Sequence, residues 1–207
     1  MDEPLSQNHF IYTSDAPTNL VDPTGHDENL PSVSVGTSSI GTFAANMTVR
    51  IANIFAKAQR IKAASLAGVT SLWSRFGELI ERIFDRTVAL FNGPVQILRY
   101  NVPTMVKGTI DRLIQINNRA YFVEIKSSIN KYSEGFPRVV TQFQRALTVM
   151  QNGVVKADQF VVWSARAVDL GTHRALQTQL GPDAYNKIQF VEGVPGLINW
   201  IKMMMKL

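Results

Sequence analysis

The chain has 207 residues, 45% of them apolar and 18% charged, with a formal net charge of +5 and no cysteine. That length gives room for one domain of ordinary size plus an extension, and the missing cysteines exclude a disulfide scaffold and a thiolate zinc site. Charge is segregated: residues 1–43 hold six acids and no lysine or arginine, residues 44–93 seven bases against three acids, and residues 94–207 fourteen bases against seven acids. A basic carboxy-terminal part suits a protein that approaches a polyanion, although basicity alone is a weak signal.

Residues 1–43 are rich in Ser, Thr, Pro, Gly, Asn and Asp and read as a flexible linker. The amino terminus lacks the basic, apolar and cleavage-site order of a secretory signal. In residues 44–93, Met47, Ile51, Ile54, Phe55, Ala58 and Ile61 make one stripe at helical spacing. Leu72, Phe76, Leu79, Ile80, Ile83 and Val88 make a second, with Gly68 between them and Asn92-Gly93-Pro94 as the stop. The pattern predicts a helical hairpin packed on the domain that follows. Lys57, Arg60 and Lys62 beside the first stripe keep a membrane-active segment as the alternative, but no run of ~18 uncharged apolar residues spans a bilayer.

Residues 109–116 and 119–126 are rich in β-branched and aromatic types, and Asn117-Asn118 between them suits a two-residue turn with positive φ. A hairpin with that loop pairs Ile116 with Arg119, Leu113 with Phe122 and, counting outward, Asp111 with Glu124. Opposed residues on antiparallel strands have Cβ atoms about 4.5–5.5 Å apart, where two like charges repel unless a cation compensates them. Lys126 shares the face of Glu124 by the period-2 alternation of a strand. Mg²⁺ (or Mn²⁺) is commonly held by one or two carboxylates plus water, so Asp111 and Glu124 suffice as a minimal site, with Lys126 placed to act on the attacking water. The competing interpretation is a solvated sheet face.

Phe136-Pro137 opens an amphipathic helix with Val139, Phe143, Ala146, Leu147 and Met150 on its apolar face and Asn152-Gly153 at its end. Its other face carries Arg138, Gln142 and Arg145. The two arginines and Lys131 are candidates for nucleic-acid contact. Gln159–Ser164 reads as a buried strand, His173–Leu180 as a short helix stopped by Gly181-Pro182, Lys187–Val191 as a strand, and Pro195–Leu207 as a last helix. Trp163 and Trp200 are expected in the core. Met203-Met204-Met205 suit a docked core or partner surface. His9, His26 and His173 have no zinc or haem spacing.

The Gly108-x-x-Asp111 pattern, a hydrophobic strand and then Val123-Glu124-Ile125-Lys126-Ser127-Ser128 resemble the core of the PD-(D/E)XK nucleases over about residues 94–165. Ile110 departs from the proline frequent before the first acid. The resemblance implies a restriction-endonuclease-like α/β fold, a central mixed sheet flanked by helices. It also implies Mg²⁺ on Asp111 and Glu124 and a water-activating role for Lys126. Members often add a glutamine on the following helix, for which Gln142 is the first match and Gln144 the second, and a glutamate on the preceding helix, for which Glu78 and Glu81 compete.

Near the amino terminus, Pro17, Asp22, Pro23 and Gly25 resemble the Pro-x-x-x-x-Asp-Pro-x-Gly motif that closes the core of Rhs/YD-repeat proteins, after which a toxin domain follows. His26 stands where that family often has leucine at its self-cleavage point. The resemblance implies three segments: the end of an Rhs core and linker at 1–43, a helical segment at 44–93, and the nuclease domain at 94–207. It further implies a secreted effector delivered into the cytoplasm of a target bacterium, acting on DNA first and on RNA as the alternative. Its implied partners are the Rhs shell and an acidic cognate immunity protein. A non-enzymatic interaction or membrane-active domain is the third alternative.

Overall fold

The computed structural model describes residues 37–64, 69–91, 93–104, 108–152 and 155–206, all within the unit Val33–Leu207. The Rhs-like motif and the first part of the expected linker lie outside the described residues. Helix α1 (Thr37–Ala64) begins inside that expected linker, because Ile40, Phe43, Ala44, Met47 and Ile51 continue one apolar stripe, and all five are buried. Helix α2 (Val69–Ala89) carries the second stripe, with Phe76, Leu79, Ile80, Ile83, Phe84 and Val88 buried.

The sheet has five strands in the order β1-β2-β3-β4-β5. Strand β1 (Val95–Pro103) pairs antiparallel with β2 (Thr109–Ile116), which forms a hairpin with β3 (Arg119–Lys126). From β3 onward the pairing is parallel, through β4 (Gln159–Ser164) to β5 (Ile188–Glu192). Each parallel step needs a crossover. Helix α3 (Phe136–Gln151) supplies the first, and α4 (Leu170–Leu180) with the single turn α5 (Pro182–Tyr185) supplies the second. Helix α6 (Gly193–Met205) closes the chain.

One sheet face packs Phe122, Phe160 and Val162 against Val140, Phe143, Ala146 and Leu147 of α3 and Leu176 of α4. The other face sets Trp163 against Phe84 of α2, with ring centroids 5.6 Å apart, and Tyr121 against Trp200 of α6 at 5.3 Å. Strand β3 is covered on both sides, so five of its last six residues are buried in succession instead of alternating. That succession includes Glu124.

Several boundaries differ from the sequence expectations. Strand β1 was not foreseen, since its pairing shifts register between Ile97 and Arg99 and Leu98 to Asn101 face solvent, which blurs any alternation. Helix α4 starts at Leu170, three residues before His173, because Asp169 caps it by accepting from the Thr172 N–H at 2.9 Å. Helix α6 starts at Gly193, two residues before Pro195, where a φ of +65° turns the chain out of β5.

Candidate active site

The hairpin turn is Asn117-Asn118, with Asn117 at φ +54°, and the ladder runs Ile116↔Arg119, Leu113↔Phe122 and Arg112↔Val123. There the backbone pairing stops. The Ile125 N–H donates to Oδ2 of Asp111 at 2.7 Å, so a carboxylate replaces the next backbone rung and the strands part around it. The same count brings Asp111 level with Glu124. Lys126 Nζ donates to Glu124 Oε1 at 2.6 Å.

Glu124 is 1% exposed in the middle of the sheet. Burial pushes its carboxyl up to about 7; the Lys126 ammonium pulls it down and the negative charge of Asp111 pushes it up. A carboxylate kept in such a place at the cost of desolvation marks a site better than an exposed one does. Asp111 thus accepts from the Ile125 N–H, and Glu124 accepts from Lys126 and from the backbone of Asp111.

Arg112 fastens α2 to this point. It lies on the opposite sheet face from Asp111 and is 4% exposed. Its Nε and Nη2 donate to the two oxygens of Asp85 at 2.8 and 3.0 Å, Nη2 also donates to Glu81 Oε2 at 3.0 Å, and Nη1 donates to the Asp111 carbonyl at 2.8 Å. The Tyr100 ring from β1 covers the guanidinium at 4.5 Å. Of the two competing acids of α2, Glu81 is therefore the one tied to the hairpin, and Glu78 is not drawn into this network. Burial raises the Glu81 carboxyl, and the charge of Asp111 raises it further against the pull of Arg112. Arg112 and Asp85 were missed in the sequence. Their signal was a charged residue in period 2 with Ile110, Ile114 and Ile116, where a buried face requires an apolar side chain or a paired ion.

Asp111 opens into a cleft of about 530 Å³, lined also by Thr104, Gly108, Thr109, Arg138, Thr141, Gln142 and Arg145. Residues 138, 142 and 145 recur at i, i+4 and i+7 on α3, so one helix face delivers two guanidinium groups and a carboxamide. Gly108 has φ +130°, and a Cβ there would meet Arg145 Nη1 at 3.2 Å. The glycine answers both to backbone conformation and to the close approach of that arginine. Gln144 points away and is exposed. Lys131 does not line the cleft: its N–H donates to Thr172 Oγ1 at 3.2 Å, which ties it to the start of α4.

Among the described residues no three or more His, Asp or Glu side chains are grouped as a ready metal cage. The donor set is two hard carboxylates brought together between β2 and β3, one of them lining an open cleft. Those residues fit Mg²⁺ or Mn²⁺, which accept one or two carboxylates and complete their shell with water.

No protein-family model matches the chain, and no curated protein matches it. Among solved structures it is similar to Pyrococcus furiosus SfsA in complex with Ca²⁺, at 15% identity and a TM-score of 0.36. The similarity covers 56% of this chain and 55% of that one, so the chain spans about half the length of that protein.

Proposed function

We propose that the chain is a metal-dependent endonuclease of the PD-(D/E)XK type, hydrolysing phosphodiester bonds in DNA. The observation that carries the reading is the convergence of Asp111, buried Glu124 and Lys126 where β2 and β3 part, with Asp111 also lining a cleft that bears Arg138, Gln142 and Arg145. Asp111 and Glu124 would hold the cation, with Glu81 within electrostatic reach of Asp111. Bound there, Mg²⁺ supplies Lewis acidity toward the phosphate and a lowered water pKa. Lys126 orients the attacking water and offsets charge gathering on the phosphate. Gln142 orients substrate or water through its carboxamide, and Arg138 and Arg145 grip flanking phosphates.

Incubating the purified chain with plasmid DNA and with total RNA, each with Mg²⁺ and with EDTA, tests this. DNA cut only with Mg²⁺ is the expected result; RNA cut instead moves the substrate assignment to RNA. If neither polymer is cut, or Asp111→Ala cuts as well as wild type, the catalytic assignment is wrong.

Pro17, Asp22, Pro23 and Gly25 match the closing motif of an Rhs core, which suits a toxin released from an Rhs shell into a target bacterium. A producing cell then needs an immunity protein, acidic to complement the basic nuclease part. Coexpression with neighbouring reading frames is expected to yield a binder whose association rate falls with salt. A binder indifferent to salt would contradict the electrostatic part.

A further inference from the structure

The two most exposed large apolar side chains among the described residues are Tyr132, 82% exposed, and Leu170, 76% exposed. They come from different parts of the chain, and the Lys131 side chain, next to the first, reaches the backbone beside the second. An ideal Cβ on Gly171, the neighbour of Leu170, would lie 2.7 Å from Lys131 Nζ, and that ammonium stands 4.8 Å from the centroid of the Tyr132 ring. The segment is held firmly: the Tyr132 N–H donates to Asn130 Oδ1 at 2.8 Å, and Ser133 donates to the Asn130 carbonyl through both its N–H, at 3.0 Å, and its Oγ, at 2.8 Å. Lys131 N–H is fixed to Thr172 Oγ1 at 3.2 Å, and Thr172 is wholly buried. Ile129 anchors the same segment in the core. The segment belongs to the connection that leads from Lys126 to Arg138.

An aromatic ring left in water on a fixed backbone contributes little to folding. One of its faces is met by a cation, which also neighbours the Asp169 carboxylate, and the ring is largely exposed, which is the form of a stacking platform for a nucleobase whose phosphate meets the ammonium. We propose that Tyr132, with Lys131 beside it, is a base-stacking subsite for an unpaired nucleotide, carried on the connection between Lys126 and Arg138. The proposal rests on the nuclease reading and sharpens it: the preferred substrate has single-stranded character. Stacking tolerates any base, so the subsite selects strandedness and not sequence.

The test uses the full chain in EDTA, so that binding is read without cleavage. Probes are a fluorescein-labelled single strand of about ten nucleotides, the same strand in duplex form, and the single strand with 2-aminopurine, whose fluorescence falls on stacking. Tyr132→Ala is expected to weaken single-strand binding about tenfold and to lose the 2-aminopurine quenching, with duplex binding changed less than about twofold. Tyr132→Phe is expected to retain both. Lys131→Ala is expected to reduce the salt dependence of binding, and Tyr132→Ala to leave that slope unchanged. Single-strand binding or quenching unaltered in Tyr132→Ala overturns the proposal, as does a wild type that binds no single strand. Mg²⁺-dependent cleavage by wild type is scored separately. Tyr132-dependent binding without cleavage keeps the subsite and sinks the nuclease reading, and cleavage with Tyr132-independent binding does the reverse.

Discussion

Glu124→Gln should make the metal-free protein more stable while removing its capacity to bind metal. Burial first, and the charge of Asp111 with it, outweigh the pull of Lys126 and lift the Glu124 carboxyl from 4.5 to about 7. The folded-state value lies above the unfolded one, so the group's contribution to stability is fully present below about pH 4.5 and is lost as pH rises through about 7. A tenfold change in proton affinity is worth ~1.4 kcal/mol, so holding Glu124 ionised at about pH 8 costs about 3 kcal/mol, and at about pH 5 less than ~1 kcal/mol. A neutral isostere escapes that cost and can still accept from Lys126. For a unit of this size each kcal/mol moves Tm by about 2–4 °C, so Glu124→Gln in EDTA should melt about 6–12 °C higher than wild type at about pH 8, and only a few degrees higher at about pH 5. Thermal melts by circular dichroism at the two pH values, with and without Mg²⁺, read both effects. An equal gain at both pH values, or a loss at the higher one, would refute the reasoning that Glu124 is a buried charge awaiting a cation.

Asp111→Asn should abolish any rise of Tm with Mg²⁺, since ligand-linked stabilisation vanishes with the site; titration calorimetry with Mg²⁺ or Mn²⁺ checks it, and undiminished affinity would remove Asp111 from the metal set. Arg112→Met deletes the link from Asp85 and Glu81 to β2. Breaking a buried ion pair costs about 3–5 kcal/mol, but the Glu81 and Asp85 side chains are 39% and 25% exposed, so about 2–3 kcal/mol and a fall in Tm of about 4–12 °C are expected. Gly108→Ala combines a backbone at φ +130° with crowding of Arg145. It should cost about 1 kcal/mol or more and raise KM for nucleic acid more than it lowers kcat, as steady-state cleavage assays would show.

The sequence by itself determined what depends on neighbours along the chain. A two-residue Asn-Asn turn sets hairpin register, and register with period-2 alternation places Asp111, Glu124 and Lys126 together. The bounds of α3 were legible for the same reason, with Pro137 at its start, Asn152 at its end and one apolar stripe between. Tertiary structure decided what spans distance. Glu81 and Glu78 are equivalent in sequence, and only the 31-residue step to Arg112 separates them. The depth of Glu124 follows from β4 pairing beside β3 and α3 covering it, neither of which its own strand records. The parting of β2 from β3 at Asp111, and the assembly of Gln142, Arg138 and Arg145 across from it, need the whole crossover in place. Local backbone geometry is written in residue type at short range, whereas burial and charge compensation are properties of the packed layers.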